Sequence, residues 1–419
     1  MRLMKAGSNW VDGNRFYNRD AELEALAERA KEGTHTLITA PRRMGKTSLV
    51  REFLRRAQLD GNFETIFVDL EDAADPADAI AELAAQTWKT RGGWARIKSG
   101  FRRLASGITG NIDSLGLSEL RIQFRAQINA GNRWRKGDEV FAVLAACKRP
   151  VILAIDELPI LVNRLLTRQQ DGTASCGRTD VDELLSWLRK NAQAHRGRVV
   201  LVLSGSVGLE PILRRAGLSA QINIFEPLAL RPWSESVAHG CLSSLAANYS
   251  LSLPVSVNRE ICRRLRCLVP HHVQQFFDHL HEHLRKAGRN EARLDDVELV
   301  YRNEMLSIRG QMNNEHYQSR LRLVLDETEY PIALELLTEA SVGDGLLSEE
   351  SIALYREHYQ AAAEPDGPFL NLENILYLLE HDGYLVRNED GYAFLSGFLQ
   401  DWWQARNGRN FVPIAERVC

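Results

Sequence analysis

The chain has 419 residues, 44% of them hydrophobic and 26% charged, with a formal net charge of -3. This is a globular composition with material for two or three domains, and its balance excludes a protein that coats nucleic acid or membrane with its whole surface. No apolar run reaches the ~18 residues of a membrane span, no signal-peptide core follows Met1-Arg2-Leu3, and the six cysteines are scattered, which predicts reduced thiols and a cytoplasmic, non-membrane location.

The first element expected is a helix from about Ala21 to Glu32, with Leu23, Leu26 and Ala27 on one face and Asp20 as its cap. Leu37-Ile38-Thr39 then reads as an apolar strand running into Ala40-Pro41-Arg42-Arg43-Met44-Gly45-Lys46-Thr47-Ser48, a turn that opens a helix. Strand, turn and helix in that order form a phosphate-binding loop, where backbone N–H groups and the helix dipole cradle an anion. Lys46 would reach the β- and γ-phosphates of a nucleotide, and the Thr47 hydroxyl would help hold Mg²⁺. Ala40 stands where this pattern usually has its first glycine, so the loop must open without a left-handed residue there.

Thr65-Ile66-Phe67-Val68-Asp69-Leu70 has the continuous apolar character of a strand covered on both faces, and Pro76 opens a helix through Ala79, Ile80 and Leu83. Residues 89–136 are strongly basic, including Arg102, Arg103, Arg121, Arg125 and Arg133, with Trp88, Trp94, Phe101, Phe124 and Trp134 interleaved. Such a stretch can track a phosphate backbone, form an oligomer interface or present a solvated face. Within it, Leu117 to Arg125 alternates like a half-exposed strand.

Val151-Ile152-Leu153-Ala154-Ile155-Asp156-Glu157 is a buried-strand run ending in two carboxylates. Asp156 would hold Mg²⁺, and Glu157 would polarise the water that attacks a γ-phosphate. Val199 to Leu203 is a third such strand, and the Ser204-Gly205-Ser206 that follows would place Ser204 or Ser206 on the γ-phosphate or the attacking water, or simply make a turn. Arg214 and Arg215 follow on a short helix, as an arginine finger for a neighbouring copy or as solvated surface residues.

Together with Phe16-Tyr17-Asn18-Arg19-Asp20, Phe225-Glu226-Pro227-Leu228 and Leu268-Val269-Pro270-His271-His272-Val273-Gln274, these motifs resemble those of the archaeal-type ATPases and their bacterial relatives, in the AAA+/STAND class of P-loop NTPases near the origin-recognition-type ATPases. The resemblance implies a three-layer α/β core with a parallel sheet, ATP and Mg²⁺ as ligands, and nucleotide contacts from Arg19, from loop residues Ala40, Pro41, Arg42, Arg43, Met44, Gly45, Lys46, Thr47 and Ser48, and from Pro270 and His271. Asn18 replaces the glycine usual in the family before the arginine. No arginine follows Pro270, where His271 or His272 would substitute.

After Pro232 the composition turns helical, with helices expected from Ser234 to Ala247, Val257 to Leu268 and Pro270 to His283 as a lid. The cysteines and histidines of this region match no compact zinc pattern. Three further helices and a hairpin around Asn388-Glu389-Asp390-Gly391 predict a winged helix. Its third helix, Leu370 to Asp382, carries carboxylates and no lysine or arginine, which favours packing or a protein partner over DNA. The domains expected are a core over 1–232 with a basic insertion at about 88–137, a lid over 233–290 and a winged helix over 291–419. The function expected is an Mg²⁺-dependent ATPase acting as a conformational switch or assembly factor, possible as a homo-oligomer. A DNA-associated ATPase using residues 89–136 and a non-hydrolysing, nucleotide-stabilised scaffold are the alternatives.

Overall fold

The computed structural model describes residues 2–7, 10–90, 115–167, 176–343, 345–362 and 371–417. Met1, Trp94, Phe101, Arg102, Arg103 and Leu370, named above, lie outside them. The chain divides into two compact units, one formed by Arg19–Thr39 and Lys46–Leu230, the other by Met1–Asn18, Ala40–Gly45 and Arg231–Cys419.

The first unit is built on five parallel strands, β1 (His35–Thr39), β2 (Glu64–Asp69), β3 (Val151–Asp156), β4 (Val199–Leu203) and β5 (Phe225–Ala229), in the order β2-β3-β4-β1-β5. Every residue of β3 and β4 is buried, as continuous apolar runs in a parallel sheet require. Ile155 and Leu37 both pair with Leu203, so the C-terminal ends of β3, β4 and β1 share one rim. Ligands of open α/β sheets bind at that rim.

Helices α1 (Asp20–Glu32), α2 (Lys46–Asp60), α3 (Pro76–Lys89), α4 (Leu117–Ala126), α5 (Arg133–Ala145), α6 (Leu158–Thr167), α7 (Cys176–Ala194) and α8 (Leu209–Arg215) surround the sheet. Asp20, expected as a cap, is instead the first residue of α1 and pairs with Arg56 at 3.3 Å. Pro76 begins α3 behind Asp75, whose side chain accepts from Asp78 N.

The stretch from Leu117 to Arg125 is a helix and not the alternating strand its pattern suggests. Leu120 and Phe124 are buried at a spacing of four, while Ile122, which a strand would place beside them, is 65% exposed. A separation of four satisfies both periods, and packing on α3 selects the helical one.

In the second unit, helices α9 (Glu235–Asn248), α10 (Val255–Leu265), α11 (Pro270–Lys286) and α12 (Leu294–Val300) gather around one apolar cluster. That cluster runs from Leu3 and Trp233 through Phe276 and Phe277 to Met305, and takes in Phe398. Ser234 caps α9 and Pro270 begins α11. Cys147 in the first unit and Cys241 and Cys262 here are free and buried, and burial pushes each thiol up to about 12.

A short π-helical segment, Tyr301–Met305, leads into α13 (Ile308–Val324). Then follow α14 (Glu329–Ser341), α15 (Glu349–Ala362), α16 (Leu372–His381) and α17 (Gly397–Asn407), with a three-stranded antiparallel sheet ordered β6 (Leu346–Ser348), β8 (Gly391–Phe394), β7 (Leu385–Asn388). Asn388 pairs with Gly391, leaving Glu389 and Asp390 as the hairpin loop. Strand β6, too short to show a period, escapes a sequence reading. Trp402 and Trp403 are fully buried, and Trp403 Nε1 donates to Thr338 Oγ1 at 3.1 Å.

Candidate functional site

Between β1 and α2 the loop Ala40–Gly45 turns with two left-handed residues, Arg43 (φ 66°) and Gly45 (φ 89°). Ala40 is not one of them, so the missing glycine there costs no backbone strain. Lys46 and Ser48 are buried on the first turn of α2, and Thr47 beside them is half-buried. Asn18 and Arg19 are also left-handed, at φ 61° and 75°. Asparagine tolerates that conformation better than most side chains, which is why it can stand in for a glycine. Arg19 is buried and its Nη1 donates to Glu22 Oε1 at 2.8 Å.

Asp156, 2% exposed at the end of β3, accepts from Thr47 Oγ1 on Oδ2 at 2.7 Å and from Ser204 Oγ on Oδ1 at 2.7 Å. The structure therefore brings together three residues separated by long stretches of sequence. Glu157 follows in the left-handed region at φ 58°. Its Oε2 accepts from both Ser206 N and Ser206 Oγ, each at 2.9 Å. Both serines thus bond the carboxylate pair. Gly205 between them lies against Pro159, where a Cβ would stand 2.5 Å from the ring Cδ.

Asp69, which pairs in register with Asp156, was not among the expected site residues. Burial holds its carboxyl above the usual carboxylate range, against a hydrogen bond from Glu71 N, with the nearby Asp156 charge adding to the rise. Its place at the C-terminal end of the apolar run Ile66-Phe67-Val68 is the sequence signal that could have found it. Arg214 and Arg215 are exposed at the end of α8.

Among the described residues no group of three or more His, Cys, Asp or Glu could hold a metal. Thr47 and Asp156 nonetheless offer adjacent hard oxygen ligands. This donor set fits Mg²⁺, which is usually bound by one or two carboxylates with phosphates and waters completing its shell.

In the second unit, the loop arginines meet α13. Arg42 Nη1 donates to the His316 carbonyl at 2.8 Å, and Arg43 Nε donates to His316 Nε2 at 3.0 Å. Gly383, after α16, packs on Pro41, and a Cβ there would meet the proline Cβ at 2.3 Å. Pro270 is buried at the start of α11. His271, next in line, is held well below the usual histidine pKa by burial and then by the Arg43 charge. His272 is fully buried against Phe398 with Nε2 at 3.1 Å from the Tyr317 hydroxyl, and burial brings its pKa down to about 3. No sequence signal marks His316, because the partner of a loop residue on a distant helix has no local pattern.

The described part of the basic stretch is engaged within its own unit. Arg125 pairs with Asp75 at 2.9 Å and Asp78 at 2.5 Å, and Arg133 with Asp180 at 2.6 Å and Glu183 at 2.8 Å. Trp134 donates to Glu183 and its ring lies 5.7 Å from that of Trp187, while Phe124 is 1% exposed. These aromatics serve packing rather than a base-stacking platform. No helix among the described residues is long and apolar enough to cross a membrane.

No protein-family model matches the chain, and no curated protein matches it. Solved structures do. A Walker-type ATPase of Pyrococcus abyssi is similar over 94% of this chain and 98% of its own, with a TM-score of 0.58 and 16% identity. The ORC2 protein of Aeropyrum pernix, in ADPNP-ADP complexes, is similar over 96% of this chain and 97% of its own, with a TM-score of 0.51 and 14% identity. At such identities the likeness is one of fold. The five parallel strands, the loop after β1 and the carboxylates after β3 give this chain a three-layer α/β fold similar to that of the Walker-type ATPase and ORC2 structures.

Proposed function

We propose that the protein is an Mg²⁺-dependent ATPase that works as a nucleotide-driven switch or assembly factor. The observation that carries the reading is that the loop and the helix turn following it are each engaged, with different partners. Thr47 is bonded to Asp156, while Arg42 and Arg43, a few residues earlier, are bonded to His316 of α13. Phosphates seated on the loop would draw its N–H groups and guanidinium charges toward themselves and loosen the hold on α13. The ADPNP-ADP complexes of the fold neighbour ORC2 support an adenine nucleotide as the ligand.

In this reading Lys46 and the loop amides bind the β- and γ-phosphates, and Thr47 and Asp156 hold Mg²⁺. The metal, when bound, supplies neutralisation of charge on the phosphate oxygens. Glu157 orients and deprotonates the attacking water, Ser204 braces Asp156, and Arg19, Pro270 and His271 contact the nucleotide. Arg214 or Arg215 would act on the γ-phosphate of a neighbouring copy. Helices α14 to α16 with their three strands form the winged-helix module, whose acidic α16 suits a protein partner better than DNA.

The test is ATP turnover together with light-scattering mass for the wild type, Lys46→Ala and Glu157→Gln, with ATP and with ADP. Turnover in the wild type, with Glu157→Gln trapped in a larger or more compact state, supports the switch. Binding of ATP with neither turnover nor a change of mass overturns it in favour of a structural nucleotide.

A further inference from the structure

Beyond α17, residues 411–417 lie against α14 and α15. Ile414–Glu416 form a single 3-10 turn behind Pro413. Glu416 N closes it by donating to the Pro413 carbonyl at 2.9 Å, and Arg417 N extends it by donating to that of Ile414 at 3.3 Å. Residues three apart in such a turn lie over one another, so Ile414 and Arg417 present one face. Ile414 is buried, and its N donates to Glu339 Oε2 of α14 at 3.0 Å. Arg417 donates through Nη1 to Glu335 Oε1, one turn earlier on α14, at 2.5 Å, and through Nη2 to the Tyr355 hydroxyl of α15 at 3.4 Å. Its Nε returns to the Val412 carbonyl at 3.0 Å, which holds the turn and the guanidinium together.

The groove is part of the fold, whereas the segment is held by little beyond these contacts. Glu339 is 6% exposed and also accepts from the hydroxyl of the fully buried Tyr355 at 3.1 Å. On the segment Val412 is 49% exposed, Ala415 and Glu416 are exposed, and only Ile414 is buried. Such a stretch opens locally at far less cost than unfolding. Opening takes one donor from a buried carboxylate and the guanidinium from Glu335, both unfavourable to leave unreplaced. We propose that this groove is a docking site for a partner protein that presents a helical turn with an aliphatic residue and, three positions on, an arginine. Residues 411–417 close the site until the partner replaces them. Charge complementarity chooses the partner. Two glutamates one turn apart ask for a cation, and the planar fork of arginine, unlike the point charge of lysine, reaches a carboxylate and a hydroxyl together. The site goes beyond the ATPase reading and uses no residue of the nucleotide loop.

The experiment is fluorescence anisotropy of a labelled peptide of residues 408–417. It is titrated with the full-length wild type and with the full-length double variant Ile414→Asp, Arg417→Glu, whose own segment no longer fits. The double variant is expected to bind the peptide about tenfold more tightly or better, since occupation in cis lowers the apparent affinity by the fraction of open sites. Adding Glu335→Gln to the double variant, or Arg417→Lys to the peptide, is expected to weaken binding several-fold. Melting midpoints are recorded throughout. If the double variant does not fold, the wild type with a protease site inserted between Arg409 and Asn410 is cut after folding, and excess peptide is expected to displace the cut segment. No binding by a folded double variant, no displacement, or binding that Glu335→Gln and Arg417→Lys leave unchanged overturns the proposal. So does a mass that doubles with concentration in the wild type and not in the double variant, because the groove then holds the segment of a second copy. No nucleotide enters the experiment, so its failure is distinct from a failure of the ATPase reading.

Discussion

Thr47 Oγ1 donates to Asp156 Oδ2 at 2.7 Å, tying the first turn of α2 to the C-terminal end of β3. The same two oxygens are the proposed metal ligands. Replacing Asp156 by Asn keeps the shape and removes the charge that attracts a hard cation. ATP affinity measured with a fluorescent analogue is expected to lose its Mg²⁺-dependent gain, by about tenfold or more, and to stay near the wild-type value in EDTA.

The Gly205 position is closed on one side by Pro159, and the serines flanking it are tied to Asp156 and Glu157. A methyl group there meets ring carbons at 2.5 and 2.6 Å with little freedom to retreat. Gly205→Ala is expected to destabilise the protein by about 1–3 kcal/mol, read as a lower midpoint in chemical denaturation.

His316 holds both loop arginines, one through its carbonyl and one through its ring. His316→Ala keeps the carbonyl and removes the ring. If the loop exchanges α13 for phosphate, this variant binds ATP several-fold more tightly by calorimetry. An unchanged or weaker affinity means that the contact does not oppose the nucleotide.

Burial pushes the folded-state pKa of His272 down to about 3, whereas an unfolded histidine titrates at about 6.5. The unfolded chain therefore binds the extra proton over the window between them, and stability falls as pH falls through it, by about 1.4 kcal/mol per unit at most. Above the unfolded value the contribution is fully present. His272→Gln keeps a hydrogen-bonding side chain facing Tyr317 and removes the titration, so its denaturation midpoint should depend less on pH below 6.5 than that of the wild type.

Much of the first unit is legible along the chain. The runs at Leu37–Thr39, Thr65–Asp69, Val151–Asp156 and Val199–Leu203 correspond to β1 to β4, most plainly at β3 and β4, which are buried along their whole length and so have long apolar runs. The helix over Leu117–Ala126 was not legible, since Leu120 and Phe124 fit two periods at once. Neither was α13, where the arginine and its histidine partner are 273 residues apart.

The order of strand, turn and helix around Gly45-Lys46-Thr47, and of buried strand and paired carboxylates at Asp156-Glu157, is a local property, carried by the covalent sequence of neighbouring residues. The sequence by itself therefore determined four of the five strands, the loop and the residue types at the rim, while β5 and the strand order came from the fold. The tertiary structure decided the assignments among them: Ser204 to Asp156, Ser206 to Glu157, Asp69 beside Asp156, and Arg43 to His316. Each of these depends on which distant segments pack together, and a hydrogen bond directed over about 3 Å is settled only once that packing has placed both of its partners.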